Sequence, residues 1–84
     1  MKIGILLKAR DDGGKRNPDI TIRAFEDVAS AKDAMLKDFA ETKAGSYPTD
    51  ESVFDASCDE TEAYIIGTDD SYVNWSVHEA EVER

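Results

Sequence analysis

Cysteine, histidine and tryptophan each occur once in the 84 residues, as Cys58, His78 and Trp75, and proline occurs twice, at Pro18 and Pro48. A lone cysteine excludes an internal disulfide. One Cys and one His fall short of a zinc ligand set, and no local motif brings a nucleophile to a base. No apolar run approaches the roughly 20 residues of a membrane span. The opening stretch Met1–Lys8 is apolar too briefly for a secretion signal. With a single thiol, this gives a reducing cytoplasm as the expected compartment. Eighty-four residues make one domain, 1–84.

Basic residues are the scarcest resource of the second half. Residues 1–49 hold eight acids and nine bases, whereas residues 50–84 hold eleven acids and only Arg84 as a base. The whole net charge of −9 therefore arises downstream of Thr49. A chain this acidic is not expected to bind nucleic-acid phosphates directly, since cations drive that binding. Such asymmetry between halves points to an electrostatic surface with a partner. The plainer alternative is a solvated surface that keeps a small protein soluble.

Hydrophobic content is 40% and falls into patterned segments. Ile3, Ile5 and Leu7 alternate with Lys8 and Arg10 on the other parity, which predicts a half-buried strand. Asp11-Asp12-Gly13-Gly14 and Lys15–Asp19 read as a turn or long hairpin loop. Ile20, Ile22 and Ala24 predict a second, antiparallel strand with Thr21, Arg23 and Phe25 on its opposite face. Asp27 suits an N-cap. Val28, Ala31, Met35, Phe39 and Thr42 recur at spacings of three and four, predicting an amphipathic helix over 28–44. Gly45 is placed to end it in a left-handed residue, and Pro48 prevents its resumption. Residues 46–61 are polar and turn-rich, with a short helical turn expected near Glu51–Ala56. Glu62–Gly67 and Tyr72–His78 predict two more strands around a Thr68–Ser71 turn. The alternation shifts phase at Glu79–Val82, which predicts a bulge.

The expected fold is α+β, in the order ββαββ: a four-stranded antiparallel sheet with one amphipathic helix on one face. The expected core is Ile3, Ile5, Leu7, Ile20, Ile22, Val28, Met35, Phe39, Ile65, Val73, Trp75 and Val77. The helix-free face would then show Leu6, Phe25, Tyr64, Ile66 and Tyr72, a candidate dimer or partner surface.

Chemical motifs are sparse. Cys58 lies among Asp55, Asp59 and Glu60, whose charge disfavours a thiolate, and His78 has no local partner. No catalytic residue is assigned, and no cofactor. Asp55, Asp59, Glu60 and Glu62 offer oxygen ligands for Ca²⁺ or Mg²⁺, but their spacing departs from a calcium loop, so no metal site is assigned. Gly13-Gly14 lacks the rest of a phosphate loop. Asn74-Trp75-Ser76 matches a glycosylation acceptor only by chance in a mid-strand position.

Carboxylates spaced along strands can imitate the phosphates of a nucleic acid and so engage a protein that reads phosphates with Lys and Arg. The residues expected to do so are Asp55, Asp59, Glu60, Glu62, Asp69, Asp70, Glu79, Glu81 and Glu83. In its small size, its single helix on a small antiparallel sheet and its Asp/Glu-rich half, the chain resembles the short acidic proteins of bacteriophages and mobile elements, including anti-CRISPR proteins. The Tyr72–Val77 strand with its Trp resembles the last strand of small prophage proteins. The charge layout, together with this resemblance, leads to the expectation of a non-enzymatic inhibitor, a DNA mimic, that engages a basic nucleic-acid-binding protein through the acidic half; no membrane association is expected. The alternatives are a homodimeric structural domain joined through the helix-free sheet face and a carboxylate Ca²⁺ or Mg²⁺ module.

Overall fold

The structure, a computed structural model, describes residues 1–11 and 19–82. Two expectations, the turn chemistry of Asp12–Pro18 and the role of Glu83, lie outside the described residues. In chain order the elements are β1 (Lys2–Asp11), β2 (Asp19–Phe25), α1 (Val28–Ser46), a 3₁₀ turn (Asp50–Ser52), β3 (Val53–Cys58), β4 (Glu62–Gly67) and β5 (Tyr72–Glu81). The strands form one antiparallel sheet in the order β2-β1-β5-β4-β3. The α+β class agrees with the expectation, but the sheet has five strands. The additional strand, β3, comes from the segment expected to be a loop. Its small side chains and a register break between Val53 and Asp55 hide the period of two. The expected helical turn is realised only as the 3₁₀ turn at its start.

The helix begins and ends largely as its sequence dictates. Asp27 adopts an extended backbone, and its side chain accepts from Ser30 N at 2.7 Å, satisfying an orphan donor of the first turn. That hydrogen bond holds the Asp27 carboxyl below its ordinary range. Ala31, Met35 and Thr42 are buried along the predicted stripe, flanked by half-buried Val28 and Phe39. Gly45 does not end the helix. It lies within it, and the terminus falls at Tyr47, whose N–H donates to Lys43 O at 3.1 Å just before Pro48.

The core is where sequence pattern and structure part. Leu6, Ala63, Ile65, Val73, Trp75 and Val77 face the helix. Cross-strand pairing puts Gly4, Leu6 and Lys8 opposite Glu79, Val77 and Trp75, so the even-numbered side chains of β1 lie under α1. Ile3, Ile5 and Leu7 are half-buried on the opposite face, and Ile20 and Ile22 on β2 are 61% and 65% exposed. Phe25 packs against the helix-side core instead. The assignment of β1 and β2 is thus inverted from the expected one. Val82 does not follow a bulge: β5 pairs with β1 in unbroken register to Glu81, and Ala80 lies opposite Ile3 on the helix-free face.

Two features impose the inversion. A Cβ on Gly4 would collide with Asp27 O and sit 2.8 Å from Val28 Cα, so only glycine lets the helix start approach β1 this closely. Four residues on, Lys8 Nζ reaches Asp38 Oδ2 at 2.8 Å, and Trp75 Nε1 donates to the same oxygen at 2.8 Å. Lys8 also sits 5.6 Å from the Trp75 ring centroid, and Phe39 meets that ring edge-on at 5.6 Å and 69°. A lysine on the helix face is tolerated because its charge is paired and its stem covers apolar surface. Partial burial pushes the Asp38 carboxyl up, but the Lys8 and Trp75 hydrogen bonds and the charges of Lys8 and Arg23 outweigh it and hold the group below its ordinary value.

Replacing Gly4→Ala forces backbone apart at the helix start; we expect a loss of about 1–3 kcal/mol, seen as a drop in Tm on the order of 10 °C. The Asp38 carboxyl is lowered in the folded state, so its contribution is complete above the ordinary carboxylate range near pH ~4 and drains away as pH falls through the lowered value. Denaturant titrations of the parent and of Asp38→Asn should therefore differ most at neutral pH and converge on acidification.

Candidate functional site

The strand order turns the charge asymmetry of the sequence into a spatial one. β1 and β2 carry Lys2, Lys8, Arg10 and Arg23 at one side of the sheet. β4 and β3 occupy the other side, and no Lys or Arg occurs from residue 44 to residue 83. Along that side lie Asp50 and Glu51 in the 3₁₀ turn, Asp55 on β3, Asp59 and Glu60 in the β3–β4 turn, Glu62 at the start of β4, and Asp69 and Asp70 in the β4–β5 turn. The two turns are separated by the length of β4, about 17 Å at the usual rise. Thr68 bonds the 3₁₀ turn through its hydroxyl to Glu51 O at 3.2 Å and its N–H to Ser52 O at 3.0 Å. Asp50 and Glu51 therefore join the Asp69–Asp70 end.

The expected residues take distinct parts in this arrangement. Asp59 accepts from the N–H groups of Thr61 and Glu62, both at 2.9 Å, and these bonds hold its carboxyl low. Asp69 accepts from the Ser71 hydroxyl at 2.5 Å and the Ser71 N–H at 3.1 Å, and is likewise lowered. Asp55 accepts from the Tyr64 hydroxyl at 2.9 Å, which raises the tyrosine's pKa. Among the described residues, the carboxylates of Glu60, Glu62 and Asp70 have no ion pair or hydrogen bond. Glu79 and Glu81 stand apart. They lie on the helix side of β5, where Lys2 meets Glu79 at 3.4 Å and the N-terminal amine meets Glu81 at 3.2 Å. Glu62 lies on the opposite face from Glu79 and Glu81, so these three of the expected carboxylates do not share one surface. Asp50 and Glu51 extend the acidic edge beyond the expected set. Their signal is their position immediately before β3, invisible while that strand reads as loop.

The helix-free face divides in two. At the β1–β2 side it is apolar, with Ile3, Ile5, Leu7, Ile20 and Ile22. Leu6 and Phe25, expected on this face, lie on the other one. At the β4–β5 side, Tyr64, Ile66 and Tyr72 do occupy it as their parity predicts. Around them is a hollow of about 670 Å³, whose lining includes Glu62, Asp70, Asn74 and Ser76.

Cys58 and His78 do not meet. Cys58 packs toward the helix-side core, whereas His78 lies opposite Ile5 on the other face and pairs with Ser76 Oγ at 2.9 Å. Burial and then the Asp59 charge push the Cys58 thiol up, away from the thiolate. Among the described residues no three His, Cys, Asp or Glu side chains come together to hold a metal ion. No helix among them is long and apolar enough to cross a membrane.

The β4–β5 turn is built with more care than its polarity implies. Ser71 is buried, and its hydroxyl is shared between Asp69 and the buried Tyr47 hydroxyl at 2.8 Å. A Cβ on Gly67 would lie 2.6 Å from Asp69 Oδ1 and 2.8 Å from Tyr47 Cε1, and Asp70 takes a positive φ of 69°. This network sets where Asp70 and Tyr72 stand. Ser71→Ala strands the buried Tyr47 hydroxyl and should cost about 1–3 kcal/mol. Tyr47→Phe leaves Ser71 bonded to Asp69 and should cost less. Equilibrium unfolding of the two variants checks the order.

No family model matches the chain, and neither a curated protein nor a solved structure matches it.

Proposed function

We propose that this is a non-enzymatic binding protein that uses the acidic β3–β4 side of its sheet to engage, and so block, a basic surface on a nucleic-acid-binding protein. The observation that carries the reading is the segregation of charge across the sheet: eight carboxylates from Asp50 to Asp70 with no Lys or Arg among them. Asp59 and Asp69 are held below their ordinary range by the hydrogen bonds of their turns, so both stay ionised to lower pH than a free aspartate. A field of one sign steers a cationic partner and competes with phosphate for the same Lys and Arg side chains. The acids form an edge band with denser ends, and Glu79 and Glu81 stand apart from it, paired with Lys2 and the N-terminal amine.

The test is capture from a bacterial lysate on the immobilised chain, followed by elution with double-stranded DNA or with salt. The expected result is a captured protein released by DNA and by raising ionic strength from about 50 to 500 mM, as screening demands. Asp50→Asn, Glu51→Gln and Glu60→Gln, combined in one variant, should weaken capture without lowering Tm, because these carboxylates bond to nothing else among the described residues. Capture insensitive to both DNA and salt overturns the reading.

A further inference from the structure

The hollow on the helix-free face combines two kinds of group that recognise the same chemistry. Ile66 pairs directly with Tyr72, and Tyr64 with Asn74, so the two tyrosines are diagonal cross-strand neighbours, about 7–8 Å apart. Both rings are half-buried. Tyr64 is fixed by its hydrogen bond to Asp55, which presents a carboxylate beside the ring. Glu62 and Asp70 line the hollow, at the start of β4 and in the turn before β5 respectively. Along β4, Glu62 and the Ile66–Tyr72 row are four residues apart, about 13 Å in an extended chain. An aromatic floor between two carboxylates attracts a cation that can lie flat on a ring and donate to an acid at its edge.

We propose that this hollow is the anchor pocket for arginine side chains of an extended basic segment of the partner. The occupant is a protein segment because the surface asks for apolar stacking and for positive charge at two points spaced as on a strand. Arginine suits it better than lysine because the planar guanidinium stacks on tyrosine while still donating to a carboxylate. Two arginines four residues apart in an extended segment would reach the Glu62 and Asp70 ends together. The inference rests on the binding role proposed above and locates its point of specificity, which the charge band alone lacks.

The probe is a capped peptide with two arginines separated by Gly-Ser-Gly, titrated at low salt into the isotopically labelled protein and followed by amide chemical shifts. A peptide with citrulline at both positions serves as its uncharged counterpart. The expected result is shifts centred on Tyr64, Ile66 and Tyr72, absent with citrulline. Tyr72→Leu should weaken binding about threefold to tenfold, and Tyr72→Phe, which keeps the ring, should bind nearly as the parent does. Shifts centred instead on Asp50, Glu51 and Glu60, equal binding of the citrulline peptide, or unchanged affinity of Tyr72→Leu each overturn the proposal. The citrulline comparison uses the parent chain, so it decides the matter even where Tyr72→Leu fails to fold. Should the hollow lose its arginine selectivity while DNA-displaceable capture persists, the anchor fails and the inhibitor reading stands. Selective peptide binding without DNA-displaceable capture gives the converse.

Discussion

The carboxylate of Asp38 is the point on which the two layers of this protein are registered. One oxygen receives the Lys8 ammonium from β1 and the Trp75 indole N–H from β5, so a single residue of α1 is tied to two adjacent central strands. Lys8 and Trp75 are themselves cross-strand partners. The arrangement holds a charge pair at side-chain exposures of 24% and 29%, with the Lys8 ammonium over the Trp75 ring, which Phe39 meets edge-on. Removing one member would leave the other charge partly desolvated, which costs more than the pair contributes. With Gly4 fixing how closely the helix start approaches, these contacts decide which face of the sheet α1 covers. Everything on the other face, including the tyrosine hollow, follows from that choice.

That choice was the part of the fold least legible in the sequence. The helix, its cap and its buried stripe could be read because propensity, capping and period agree there. The strands β4 and β5 could be placed, and Trp75 and Val73 assigned to the core, because their polar neighbours share one parity. On β1, however, residues 3–7 are apolar on both parities apart from Gly4. The clean alternation of Ile3, Ile5 and Leu7 against Lys8 and Arg10 then points the wrong way, since Lys8 is paired beneath the helix and Arg10 reaches Ser46 Oγ at 3.2 Å. A charged residue signals solvent only when its partner is unknown to be near, and the partner Asp38 lies thirty residues away. The facing of β2 follows from its pairing with β1 and inverts with it. β3 was hidden for a different reason: a residue out of register at Phe54, 76% exposed, and small side chains elsewhere leave no periodic signal.

The candidate site was legible as composition but not as shape. Counting acids located the charged half of the chain. It could not separate Glu79 and Glu81, which pair with Lys2 and the N-terminal amine, from Glu60, Glu62 and Asp70, whose carboxylates are left to solvent. Nor could it show that Asp59 and Asp69 spend their hydrogen-bonding capacity on the turns that carry them. The parity of Tyr64, Ile66 and Tyr72 was readable, and it placed them together on the open face. Their association with Glu62 and Asp70 required the β4–β5 register.

Charge concentrated on one side of a small sheet carries a cost that bears on how it can act. Carboxylates of like sign along the β3–β4 side repel one another in the folded state. They do so at an edge of the sheet, where β3 is a six-residue strand whose half-buried residues are Val53, Ala56 and Cys58. The strong packing lies instead around Trp75, Met35, Ile65 and Val73, toward the centre of the sheet. The fold thus places its electrostatic strain away from the contacts that hold it together. A cationic partner that binds the folded side and not the unfolded chain would relieve that repulsion and add stability by mass action. Lys8 and Arg10 tie β1 to α1 across β5 from that edge, so the polar contacts that join helix to sheet are kept apart from the repulsion along β3 and β4.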